Sequence, residues 1–216
     1  NERGKKLSIR TGDRLWTFKP SEKNGHIIDE LRLTREEADH LAATDEFGRR
    51  WIEFAAVTAS SDHRRFAGRS LLVEPVGLSI VSDIDDTIKI TQVTNRKKML
   101  RNTFLRSYSA VPGMADLYRR WARQGAVFHY ISASPWQLYE PLSMFMVTSG
   151  FPGGSFLLKT FYWKDSRFMS LLADPREYKL ASIEPVLRLF PKRQFVLVGD
   201  AGEKDPEAYG ELARRY

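Results

Sequence analysis

The stretch "LSIVSDIDDTIKI", Leu78 to Ile90, ends an apolar run in three carboxylates, Asp83, Asp85 and Asp86. Like charges that close repel, so the cluster requires a compensating cation or a chemical purpose. Polar groups end other apolar runs in the same way. "HYISAS" delivers Ser132 and Ser134, and "QFVLVGDAGEKD" delivers Asp200 and Asp205. Lys179 lies between them, early in the helical pattern "DPREYKLASIEPVLRLF". Two carboxylates on adjacent strand ends can share a hard divalent cation such as Mg2+, which prefers oxygen ligands and takes only one or two carboxylates from a protein. A carboxylate beside such a cation can attack phosphorus and form an aspartyl-phosphate. A second carboxylate two residues on can protonate a leaving alkoxide and then deprotonate water. A lysine and a hydroxyl can neutralise and orient the transferring phosphoryl oxygens.

These residues need elements that bring them to one edge. After Gly77 the chain alternates strands with helices, the pattern of a parallel sheet with crossovers. The strands are predicted at Leu78–Ser82, Ala126–Ser132, "SFLLKTF" and Gln194–Asp200. In open sheets of this kind ligands gather at the carboxyl ends of the strands. In "VPGMADLYRRWARQG" the residues Met114, Leu117, Tyr118 and Trp121 share one helical face, Pro112 suits the first turn and Gly125 the residue past the end. Residues 1–77 read differently. "KLSIR", "RLWTF", "RWIEFAAVT" and "RSLLVEPV" are short strand patterns separated by turns, interrupted by one helical turn or two in "TREEADHLAA", where Thr34 and Glu37 have capping-box spacing. The expected organisation is a β-rich accessory domain over 1–77, a sandwich or barrel, followed by an α/β domain over 78–216.

Composition bounds the function. The 216 residues are 42% apolar, enough for a packed core, and they include no cysteine, which excludes disulfides, thiolate metal sites and cysteine nucleophiles. No apolar run approaches the length of a spanning helix. No signal peptide is visible, and because the first residue is Asn1 rather than Met this excludes nothing upstream. The formal net charge is +7, of which residues 78–216, with 20 basic and 14 acidic side chains, carry +6. A positive field of that kind favours anionic partners: phosphate esters, nucleic acid or an acidic membrane surface.

The elements "DIDDT", strand-end Ser132, Lys179 and "GDAGEKD" resemble the four motifs of the haloacid-dehalogenase superfamily of phosphotransferases. More narrowly, "VSDIDDTIKIT", "PGM", "HYISASPWQLY" and "VGDAGEKDPEAY" resemble the actin-patch phosphatidate phosphatase family, over roughly Leu72 to Tyr216. The resemblance implies a Rossmann-like doubly wound parallel sheet and a Mg2+-dependent phosphomonoesterase that turns phosphatidate into diacylglycerol and phosphate; the 44 residues between Thr87 and Ser132 and the 46 between Ser132 and Lys179 leave no room for the large cap that superfamily members often carry. It implies Asp83 as nucleophile and first metal ligand, and Asp85 as acid/base with its backbone carbonyl on the metal. Ser132 would bind the phosphoryl group, Lys179 would stabilise it, Asp200 would complete the metal site and Asp205 would support it. Peripheral contact with a membrane and a cytoplasmic location follow as expectations. The superfamily core normally has a further strand after the fourth motif, so this end is expected to be either trimmed or disordered.

Plainer readings compete at several positions. An EF-hand loop is rejected, because Ile88 and Thr94 stand where Gly and Glu are required. Asp86 reads equally well as a structural hydrogen-bonder, and Thr87 as a cap or as an orienting group for Asp85. Ser134 precedes Pro135 and lies three before Gln137, a capping-box spacing that leaves Ser132 for phosphate. Asp205 precedes Pro206, so helix capping and metal support are evenly matched there. Lys159, Lys164 and Lys204 compete with Lys179, which is preferred on family spacing alone. Pro185 is expected to kink or divide its helix. His129 alternates within an apolar strand and reads as a core residue. "SGFPGGS" lacks the lysine of a nucleotide P-loop and reads as a plain loop. "WQLYEPLSMFMVTSGF" reads as a core helix, with a lipid-contacting surface as the minority view. Two other functions stay open: a non-catalytic binder of anionic lipid, and a phosphatase of nucleic-acid ends, the latter disfavoured because no nucleic-acid module is present.

Overall fold

The computed structural model describes residues 3–22, 25–92, 108–159, 175–202 and 204–216, so the basic run "NRKKMLRN", Lys164 and Asp174 lie outside the described residues. The chain divides into two compact units, Asn1–Val73 and Glu74–Tyr216.

The first unit is one antiparallel sheet of five strands: β1 (Ser8–Thr11), β2 (Arg14–Thr17), β3 (Ala42–Thr44), β4 (Arg50–Ala56) and β5 (Ala67–Leu72). β4 is its spine. β5 pairs along one edge of it, while β3 and β1 share the opposite edge at its two ends. Trp51 and Ile52 of β4 and Ile9 of β1 are buried. Asp45 shapes the turn from β3 into β4. One of its oxygens accepts the Phe47 and Arg49 amides, and the other takes the Arg49 guanidinium and the Trp51 indole N–H. Helix α1 (Arg35–Leu41) carries the expected capping box, with Thr34 Oγ1 accepting from the Glu37 amide and Glu37 accepting from the Thr34 amide. The helix is seven residues, the two turns expected, and it ends before Ala42. Ala42, Ala43 and Thr44 pair with Ile52, Trp51 and Arg50, and this pairing overrides the helix propensity of the two alanines.

The second unit holds a parallel sheet in the order β8 (Ser155–Lys159), β7 (Val127–Pro135), β6 (Gly77–Asp83), β9 (Arg193–Val198). Strand β6 is apolar on both faces, as a strand covered on both sides must be, and Ile80 and Val81 are fully buried. Alternation sorts the two faces. Val81 and Ile131 meet Ile183 and Leu187 of α4 (Pro175–Leu189) and Leu212 of α5 (Asp205–Arg215). On the other face Phe128 lies 5.2 Å from the ring of Tyr118 in α2 (Met114–Arg123), and Tyr118 donates to or accepts from Ser82 Oγ at 2.7 Å. Helix α3 (Tyr139–Thr148) follows a 3-10 turn at Trp136–Leu138 and buries Leu142, Phe145 and Met146. The sequence therefore places apolar residues on strands and helices in the periods the α/β architecture requires. Helix α4 runs unbroken through Pro185, against the expectation of a divided helix. Chain order turns from β8 back past β6 to β9, so the switch point of the sheet falls between β6 and β9.

Candidate active site

Asp83 is the last residue of β6 and is fully buried. Odd-numbered positions of β6 face α4, so strand parity aims Asp83 at that helix. Lys179, in the second turn of α4, meets it: its Nζ lies 2.9 Å from Asp83 Oδ1, with neither side chain exposed. The same ammonium contacts Asp205 Oδ1. Lys179 is thus a buried cation between two carboxylates, not a solvated helix lysine. Burial alone would lower its pKa; Asp83 and Asp205 reverse that and hold it well above the ordinary lysine range.

Asp205 links this pair to the end of β9. Its Oδ2 accepts the Asp200 amide at 3.2 Å. A Cβ on Gly199 would lie 1.9 Å from that same oxygen, so only glycine lets the carboxylate approach the β9 turn. The expected capping role of Asp205 is not what forms. Lys204, in the left-handed region at φ 58, precedes the helix, no side chain caps it, and Asp205 is the first helical residue. Its carboxylate is spent on Lys179 and Asp200 instead.

Asp85 is held from three sides. Oδ1 faces Lys89 Nζ at 2.8 Å and accepts from Thr91 Oγ1 at 2.7 Å. Oδ2 accepts from Ser132 Oγ at 2.7 Å, with Ser134 Oγ at 3.5 Å. Burial alone would raise the Asp85 carboxyl; the charge of the Lys89 ammonium beside it and the hydrogen bonds from Ser132 and Thr91 outweigh it and hold it below the usual carboxylate range. Ser134 is not the expected N-cap. Strand β7 continues to Pro135 and the following turn has no side-chain cap, so the Ser134 hydroxyl remains at the site and its amide donates to Ser132 Oγ.

Neighbours fix the geometry. Thr87 Oγ1 donates to Asp83 Oδ2 at 3.2 Å, so it orients the nucleophile candidate and not Asp85. Asp86 has the structural role: at φ 55 its Oδ1 accepts the amides of Thr91 and Gln92, closing the 86–92 turn. The Tyr178 hydroxyl donates to the carbonyls of Ser132 and Leu157 and ties α4 to the ends of β7 and β8. The sequence reading missed Lys89, Thr91, Tyr178 and Gly199. The signal for Lys89 was a lysine set between two isoleucines in "TIKIT", where a free charge does not belong.

The donors fit a hard cation. Asp200 Oδ1 is buried with no hydrogen-bond partner among the described residues, which is costly for a carboxylate oxygen unless something else binds it. Asp83 ends β6, and Asp200 lies two residues past the end of β9, the strand that pairs beside it at the switch point. Among the described residues no group of three acidic or histidine side chains forms a ready-made metal cage. Two carboxylates, with water for the remaining positions, match what Mg2+ takes from a protein. The six expected residues therefore fall into two linked sets: Asp83, Lys179, Asp205 and Asp200 on one side, Asp85 and Ser132 on the other.

A parallel α/β sheet with acids at the carboxyl ends of neighbouring strands defines the class of site. Residues 78–216 match the family described as "Phosphatidate phosphatase APP1, catalytic domain". The match covers more than half of the chain, and the chain belongs to that family. Phosphatidate phosphatase APP1 of Saccharomyces cerevisiae is 36% identical over 148 residues, 67% of this chain and 25% of that protein. An uncharacterized protein of Schizosaccharomyces pombe is 33% identical over 141 residues, 63% of this chain and 23% of that protein. The chain spans about a quarter of the length of these curated relatives.

Proposed function

We propose that this chain is a Mg2+-dependent phosphomonoesterase that acts through an aspartyl-phosphate, with phosphatidate as the preferred substrate. The observation that carries this reading is the buried Lys179 bridging Asp83 and Asp205, with an Asp200 oxygen nearby that is buried and has no partner among the described residues. Asp83 attacks phosphorus, forming an oxygen–phosphorus bond as the bond to the leaving alkoxide breaks. Asp85, ionised in the free site, must take up a proton before this step, and it then gives that proton to the alkoxide. In the second step Asp85 takes a proton from water, the water oxygen bonds to phosphorus, and the bond to Asp83 breaks, releasing inorganic phosphate. Lys179 and Ser132 balance charge on the phosphoryl oxygens, which requires the Ser132 hydroxyl to turn from Asp85. Mg2+, held by Asp83, Asp200 and the Asp85 carbonyl, would supply further charge stabilisation.

A lipid substrate is supported by exposed apolar side chains that follow the β7 end in sequence. Trp136 and Tyr139 follow Ser132 and Ser134 closely in the chain and are exposed, as are Met144 and Val147 of α3. No described helix is long and apolar enough to cross a membrane. Amphipathic aromatics on a unit of net positive charge suit peripheral contact with an anionic bilayer. The test is phosphate release from phosphatidate, an aryl phosphate and a 3′-phosphorylated oligonucleotide, with and without Mg2+, by wild type and Asp83→Asn. The reading predicts Mg2+-dependent release, fastest from phosphatidate and lost in the variant. Liposome binding without release of phosphate from any ester would favour the non-catalytic lipid binder instead.

A further inference from the structure

Lys89 belongs to no motif of the mechanism above, yet it is 1% exposed and its neighbour Ile88 is fully buried. A cation buried among isoleucines is expensive unless paired. Lys89 Nζ meets Asp85 Oδ1 at 2.8 Å and lies 4.6 Å from the centre of the Tyr108 ring. Its backbone is pinned as firmly as its side chain. The Lys89 amide donates to the Ile84 carbonyl at 2.9 Å and its carbonyl accepts from Asp86 at 2.7 Å. The residues on either side of it bond to Ser109 and Val111. A buried ion pair is weak support for stability, because an apolar pair of similar volume serves as well. Its use here follows from which oxygen it takes. Lys89 and Thr91 both hold Oδ1, on the Asp85 loop itself, and leave Oδ2 turned toward Ser132 and Ser134 at the end of β7.

We propose that Lys89, assisted by Thr91, is a positioning residue: it anchors Asp85 Oδ1 so that Oδ2 is the oxygen that exchanges the proton. This rests on the acid/base role proposed for Asp85. Oδ2 passes its proton to the leaving alkoxide as the Asp83–phosphorus bond forms, and takes one from water as that bond breaks. An acid held out of place matters most for a leaving group that needs a proton, so an alkyl ester such as phosphatidate depends on the anchor more than an aryl phosphate does.

The experiment compares kcat and KM for both substrates in Lys89→Met, Thr91→Val, Asp85→Asn and the two double variants, with thermal unfolding of each. Lys89→Met is expected to lower kcat about 100-fold on phosphatidate and about 10-fold on the aryl phosphate, with KM within about twofold. Added to Asp85→Asn, it should cost less than about threefold, because its effect passes through a group already removed. Thr91→Val should show the same pattern with a smaller loss, and carries the test if Lys89→Met does not fold. Equal losses on the two substrates, losses that multiply with Asp85→Asn, or a change confined to KM would overturn the positioning role. Wild-type turnover by Asp85→Asn would instead overturn the acid/base reading on which it rests.

Discussion

The two ends of β6 each hold a buried cation, and the two are built for different work. At the amino end Arg193 donates from Nε to Ser79 Oγ and from its two terminal nitrogens to the carbonyls of Glu74, Val76 and Leu78, at 2.6–2.9 Å. Its side-chain hydrogen bonds there go to neutral acceptors, and they fasten the start of the strand to the loop before it. At the carboxyl end Lys179 meets the carboxylates of Asp83 and Asp205, with a third, Asp200, holding a buried oxygen that has no partner among the described residues. A cation tied to neutral carbonyls is finished as structure. A cation among acids, one with a buried oxygen unpaired among the described residues, is the arrangement that the proposed phosphoryl site calls for.

That contrast can be broken by substitution at either end. Asp83→Asn should leave the protein folded by circular dichroism and lower phosphate release by at least about 10³-fold, since it removes the attacking oxygen. Arg193→Met should do the reverse. Denaturant unfolding should show about 4 kcal/mol of lost stability from the stranded carbonyls, while kcat of the remaining folded protein stays within about twofold. An Arg193 variant with wild-type stability and low kcat would erase the distinction between the ends.

Acidity probes the structural end separately. His129 is buried in β7, with Nδ1 paired to Ser155 Oγ at 2.8 Å. Burial, reinforced by Arg193, pushes its pKa down to about 4. A depressed folded pKa means that the unfolded chain binds the proton more readily. The stability His129 contributes is complete above its unfolded pKa of about 6.5 and is lost as pH falls toward 4, by at most about 3 kcal/mol. His129→Phe should flatten urea midpoints over that window. The smallest effect lies in the first unit, far in sequence from either end: Thr34→Ala removes a cap on α1, should cost about 1 kcal/mol in unfolding, and should leave turnover unchanged.

Much of this was legible in the residues, and for a physical reason. An apolar run that stops in acids declares both a buried strand and its carboxyl end, so β6, β7 and β9 and their polar termini could be read from local pattern. The capping box of Thr34 and Glu37 is equally local. What escaped depends on distant partners. Ala42–Thr44 became a strand because β4 offered an edge. Ser134 lost its expected cap because β7 runs on to Pro135, and Asp205 lost its own because Lys179, from another helix, claimed the carboxylate. The anchoring of Asp85 by Lys89 is near in sequence but needs the turn set by Asp86 at φ 55, which no periodicity announces.

The most direct test of the account is to look for the bond it requires. Enzyme mixed with radiolabelled phosphatidate and Mg2+ is quenched in acid, digested, and its labelled peptide sequenced. The account predicts label on the peptide containing Asp83, released by hydroxylamine as an acyl-phosphate would be, and absent from Asp83→Asn. Turnover of phosphatidate at the wild-type rate by Asp83→Asn, or label captured on a different residue, would contradict it.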